Sequence, residues 1–295
     1  MGEEKGLFKT LATLDRRLIY ISVIILVLIP VLRPMGMPIS VTANSKQFYD
    51  VLNEMEEGDI VFSAWETGFS AYNELKSGII CSHRMMIEKG VKSVHAFATS
   101  EGFAIFERVF GNPEKGLRGT LTSEMEEYDY TYGEDYIVLG YVLVNEASTS
   151  TMARDFQGII YVDWVGDPIA GTFLDDVHDA GDVDLIVDFS PGMQTTALIN
   201  HWVMDYGTPM IEGAIGVNIP AYAPYLDTGH ILALLESTRG GAELEYLTGN
   251  PGEGLTAMDS FTLVHYLVII FIVLGNIGYF GWQRSSAERE RSAIA

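Results

Sequence analysis

Two apolar stretches, one near each end, set the terms on which this chain can fold. The first covers residues 18–32 (LIYISVIILVLIPVL) and the second residues 261–282 (FTLVHYLVIIFIVLGNIGYFGW). A helix needs roughly 20 apolar residues to cross a bilayer core about 30 Å thick. The second stretch has that length. The first reaches it only if residues 34–41 (PMGMPISV) extend it and Arg33 snorkels to the interface. The pattern predicts transmembrane helices over 18–40 and 259–282, a domain over 41–258, and short terminal segments 1–17 and 283–295.

Charge then orients the chain. Lys5, Lys9, Arg16 and Arg17 precede the first stretch, and Arg284, Arg289 and Arg291 follow the second. Residues 34–258 hold 10 Lys and Arg against 34 Asp and Glu. Positive flanks stay in the cytoplasm, so both termini are expected there and the central domain is expected to be extracytoplasmic. No A-x-A cleavage pattern follows the first stretch, so it reads as a retained anchor and not as a signal peptide. An acidic domain repels nucleic acid and anionic headgroups, which leaves cations, basic partners or a solubilising role. Cys81 is the only cysteine, so neither an intramolecular disulfide nor a Cys-based metal site can form.

Within the domain, short apolar runs alternate with helical spacing. Strands are expected over 59–65 (DIVFSAW), 93–99, 136–144, 183–189 (VDLIVDF) and 209–215 (PMIEGAI). Helices are expected over 45–55, 70–89, 101–110, 149–156, 195–206, 221–226 and 230–248. The acidic, aromatic stretch 124–132 (EMEEYDYTY) suits a helix end or loop, and 159–165 a helix continuation or a local strand. This alternation predicts an α/β, Rossmann-like domain. Its mostly parallel sheet has about five or six strands with helices on both faces, in addition to two transmembrane helices.

Ligands of such sheets bind outside the carboxyl ends of the strands. The loops there bring Glu66, Glu101, Ser190 and Asn218 to one rim, a candidate ligand-binding set. No G-x-G-x-x-G, Walker A or G-x-S-x-G pattern is present. Ser190 precedes Pro191 and Gly192, a turn and helix-start signature more than a nucleophile elbow. Asp175, Asp176 and Asp179 supply oxygen ligands of the type that suits Ca²⁺ or Mg²⁺, but without the EF-hand spacing a solvated acidic loop accounts for them better. His83 and His95 fall on different elements. In the second apolar stretch, Gly275, Asn276 and Gly278 predict close helix packing, against the first stretch or a neighbouring copy. No cofactor is implied.

The segments GEDYIVLGY (133–141), VDLIVDFSPG (183–192), YGTPM (206–210) and YAPYLDTGHILALLESTRGGAELEYLTGNPG (222–252) resemble those of an uncharacterised family of bacterial and archaeal membrane proteins. The resemblance reaches the first apolar stretch and implies an exterior α/β domain held between two helices. It carries no catalytic residue across. The leading functional expectation is a non-enzymatic, membrane-anchored structural or interaction component, homo-oligomeric or assembled with other membrane proteins in the lipid bilayer. A second expectation is an extracytoplasmic domain that binds or senses a small ligand or cation. A third is a hydrolase using Glu66 or Asp188 as base.

Overall fold

The computed structural model describes residues 2–111, 130–142, 145–192 and 195–294, and it divides the chain into two compact units, 39–254 and 1–38 with 255–295. The elements begin with α1 (Gly2–Ala12), α2 (Arg16–Leu32), α3 (Ala43–Glu54), β1 (Ile60–Trp65) and α4 (Phe69–Glu88). Next come β2 (Lys92–Phe97), α5 (Ser100–Phe110), β3 (Tyr136–Tyr141), α6 (Glu146–Arg154) and α7 (Phe156–Ile159). The chain continues through β4 (Leu185–Ser190), α8 (Thr195–Leu198), a π turn (Ile199–Val203), α9 (Met204–Tyr206), β5 (Met210–Ala214) and α10 (Ile219–Asp227). It closes with β6 (Ala233–Glu236), α11 (Ser237–Thr248) and α12 (Glu253–Ile294). Residues 124–129 of the acidic, aromatic stretch lie outside the described residues.

All six strands are parallel, in the order β3-β2-β1-β4-β5-β6. A parallel sheet is covered on both faces, so its strands read as near-continuous apolar runs. Alternate residues feed two separate cores. Val61, Trp65, Phe97, Val187, Phe189 and Leu235 pack with α3, α4, α5 and α11. Phe62, Ala64, Ile137, Ile186, Met210 and Leu234 pack with α6, α7, the π turn and α10. The α/β class and helices on both faces are as expected.

One strand departs from expectation. Residues 230–248 read as a single helix, yet Ala233–Glu236 is β6, paired to β5 with Ile211 opposite Ala233. Its sequence, ALLE, favours helix intrinsically; strand pairing and burial of Ala233, Leu234 and Leu235 override that. The helix then starts at Ser237, the only described non-glycine residue with positive φ (54°). Helices α4 and α11 approach closely: a Cβ at Gly241 would lie 2.8 Å from Gly78 N and 2.9 Å from Ser77 Cβ.

In the other unit, two membrane helices were expected and, among the described residues, one is long and apolar enough, residues 253–284 of α12, with a mean hydropathy of 2.1 over an 18-residue window. Helix α2 spans 17 residues, about 25 Å at 1.5 Å per residue, short of the bilayer core. Residues 34–40 do not extend it. Pro34 biases Arg33 away from helical dihedrals, and Arg33 is extended at φ −149°. The next amides, Met35, Gly36 and Met37, all donate to the Asp259 carboxylate at 2.8–2.9 Å. The glycine face of α12 meets α1 and not α2. A Cβ at Gly278 would lie 2.5 Å from Ala12 N, and one at Gly281 2.5 Å from Phe8 Cδ1. Gly275 has nothing within 4 Å, and Asn276 lines an open groove with Phe8 and Arg284.

Candidate functional site at the strand-order reversal

The sheet order reverses between β1 and β4, where open α/β sheets hold their ligands. Glu66 follows β1 directly and Ser190 ends β4. Ser190 Oγ donates to Glu66 Oε2 at 2.6 Å across this boundary and accepts from Gly192 N at 3.0 Å. Glu66 is 5 % exposed and Ser190 fully buried.

Below this contact lies a pair of acids inside the sheet. Register places Ala64 beside Asp188, and Asp188 beside Glu212. Both acids are completely buried. Thr195 Oγ1 donates to Asp188 Oδ2 at 2.7 Å and lies 3.1 Å from the Tyr222 hydroxyl, which donates to Gly192 O. Among the described residues no further side chain donates to Asp188 Oδ1 or to either Glu212 oxygen; the two carboxyls bond to each other. Burial raises the pKa of both. For Glu212 the Asp188 charge adds to this, then that of Glu66. Among the described residues no Lys, Arg or His offsets either shift. Two acids so close and so desolvated hold a proton between them at neutral pH.

The other rim residues are placed differently. Asn218 opens α10 and its Nδ2 donates to Pro191 O, which ties the β5 loop to the β4 loop. Glu101, in the first turn of α5, accepts from Phe69 N at 2.9 Å. Phe69 begins α4, so a carboxylate caps the helix start where dinucleotide folds seat a pyrophosphate. A Cβ at Gly68 would meet Glu101 Oε2 at 2.6 Å. Thus Glu66, Ser190 and Asn218 converge on the β4 loop, while Glu101 stands at the start of α4.

The acidic loop is built as turns. Asp175 accepts from Gly171 N at 2.9 Å, Asp179 accepts from Gly181 N at 2.8 Å, and Asp176 is exposed in a 3₁₀ turn. Among the described residues no group of three or more His, Cys, Asp or Glu is arranged to hold a metal ion.

His83 and His95 do come together, in the opposite core. Their rings stack at 5.4 Å. Trp65 Nε1 donates to Ser63 Oγ (3.0 Å), Ser63 Oγ to His83 Nε2 (3.2 Å), and His83 Nδ1 to Ile79 O (2.7 Å). Tyr130 donates to Val91 O (2.9 Å) and accepts from Ser93 Oγ (2.6 Å), so Ser93 accepts from His95 Nε2 (2.9 Å). This chain of donors fixes both tautomers and leaves His95 Nδ1 a bare lone pair. Burial lowers the His83 pKa to about 4 and that of His95 well below its usual range, so both rings are neutral. The network belongs to the core on the opposite face of the sheet from the carboxyl pair, and His95 Nδ1 is its unsatisfied atom.

The sequence reading named Glu66, Ser190 and Asp188 but passed over Glu212, Thr195 and Tyr222. A signal for Glu212 was present: an acid inside an apolar run (PMIEGAI) that a parallel sheet buries on both faces. No family model, curated protein or solved structure matches this chain, so its own geometry carries the functional argument.

Proposed function

We propose that the chain is a non-enzymatic, membrane-anchored component whose 39–254 unit binds a small polar solute at the β1–β4 boundary, on the extracytoplasmic side. The observation that carries this is the Ser190–Glu66 hydrogen bond closing the reversal point over a buried acid pair. Buried carboxyls without a cationic partner destabilise a fold by several kcal/mol, so their retention at the ligand position of this architecture favours recognition. Anchoring is supported by α12, and the orientation by the basic flanks beside an acidic domain. A non-enzymatic role fits Ser190, whose proton is committed to Glu66 with no histidine bonded to it.

Thermal shift of the full-length chain in detergent, against a panel of polar metabolites, tests this. At least one solute should raise Tm, and Glu66→Gln should reduce that shift. A flat response to the whole panel refutes the reading. Self-association is a second reading, supported by the open Gly275 position and the outward apolar residues of α12; mass photometry showing only monomers would exclude it.

A further inference from the structure

We infer that the groove between α4 and α5 docks on an anionic phospholipid surface, with a headgroup phosphate held between Lys76 and Arg108. This rests on the reading of α12 as a membrane anchor. The groove has a volume of about 420 Å³ and is lined by Phe69, Tyr72, Ile80 and Val109 together with Lys76 and Arg108. Among the described residues no acid lines it. Two cations without an acid between them stand out in a domain whose residues 34–258 hold 10 Lys and Arg against 34 Asp and Glu. Arg108 makes no hydrogen bond or ion pair with a described residue. Lys76 Nζ donates to Glu253 Oε1 at 2.5 Å. An ammonium carries three donors, so Lys76 keeps Glu253 and still reaches a phosphate. Phe69 is 60 % exposed at the groove's end. An aromatic ring beside cationic tips on apolar stems is the chemistry of the membrane interface.

Position selects the occupant. Glu253, the partner of Lys76, is the first residue of α12. The apolar stretch opens at Phe261, about 12 Å further along the helix at 1.5 Å per residue. The polar headgroup layer covers roughly 5–8 Å of that distance, and the remainder is no longer than an extended Lys or Arg side chain. A soluble anion has to approach against the net negative charge of the domain. The anchor instead holds lipid beside the groove at high effective concentration. The adjoining pocket, which shares Lys76 and Ile80, suits an anion less, because Glu245 and Glu253 face Lys76 and Arg84 there.

Native mass spectrometry of the full-length chain, released from nanodiscs of equal parts phosphatidylcholine and phosphatidylglycerol, tests the inference. Retained phosphatidylglycerol should exceed retained phosphatidylcholine by about fivefold for each engaged cation, or roughly 25-fold for two. The double substitution Lys76→Gln, Arg108→Gln should bring the ratio close to unity. Lys46→Gln with Arg154→Gln removes the same charge outside the groove and should leave the ratio unchanged, with folding of both variants checked by melting curves. Equal retention of the two lipids by the parent, or a preference that survives the groove substitutions, overturns the inference and leaves the anchor standing. Displacement of the lipid by glycerol phosphate would assign the groove to a free phosphate, and displacement by poly-glutamate to an acidic protein segment; either overturns the lipid assignment. Dimers that vanish with the groove substitutions would assign it to a second copy, with the same consequence. A chain that stays soluble without detergent or nanodiscs removes the anchor, and the docking surface with it.

Discussion

Replacing Gly241 by alanine should destabilise the 39–254 unit, although alanine is the better helix former. In an unobstructed helix interior the change gains about 0.8–1 kcal/mol. Here the added Cβ would lie 2.8 Å from Gly78 N and 2.9 Å from Ser77 Cβ, and 3.3 Å from Ser77 C. Ordinary contact begins near 3.4 Å, so α11 and α4 must part by roughly half an ångström. Backbone provides two of these neighbours and cannot rotate away. The shift would also disturb Gly78, which packs against Leu235 and Phe189. Overpacking of this kind costs about 1–3 kcal/mol, enough to outweigh the propensity gain at most of that range. The difference, a net loss of up to about 2 kcal/mol, corresponds to a fall in Tm of up to roughly 8 °C for a unit of this size. Differential scanning fluorimetry of the full chain in detergent measures it, with Gly275→Ala as control, since nothing lies within 4 Å of that position. A Gly241→Ala melting point at or above the parent value would refute the steric argument.

Acid should destabilise the fold through His83. Its folded pKa is about 4 against an ordinary 6.5. Between those values the unfolded chain holds more protons, so stability falls as pH drops through that window, by about 3 kcal/mol in total. Denaturant melts of His83→Gln should show a shallower slope from pH 6.5 to 4; an unchanged slope would reject the assignment. The Asp188–Glu212 pair acts with the opposite sign, since its raised pKa values cost stability as pH rises above the ordinary carboxyl range. In the membrane unit, Asp259→Ala removes the acceptor of three consecutive amides. Hydrogen exchange at Met35, Gly36 and Met37 should accelerate about tenfold or more, each tenfold step being 1.4 kcal/mol of protection; exchange rates equal to the parent would contradict this.

The sheet was legible because five of its strands are short apolar runs bounded by turn residues and alternating with helical spacing. β6 was not, because ALLE carries helix propensity and its strand state comes from pairing with Ile211–Ala214 across the sheet. The membrane placement was half legible. Composition marks both apolar stretches, but the helix end at Leu32 depends on Pro34 and on Asp259, more than 200 residues away. The rim was legible as strand-end loops. That Glu66 would bond Ser190, while Glu101 would turn to the start of α4, depends on side-chain directions that spacing does not encode. The acid pair required strand register, since Asp188 and Glu212 are neighbours only when β4 and β5 align as they do.

The carboxylate that closes the start of α4 has a practical consequence. Glu101 is covalently part of the molecule, so it competes for the Phe69 amide at an effective concentration in the millimolar range or above. Nucleotides and inorganic phosphate from a cell extract meet a seat already taken by a tethered rival. Preparations of this protein should therefore emerge without a phosphorylated passenger at the start of α4, and a search for its solute begins from a clean background.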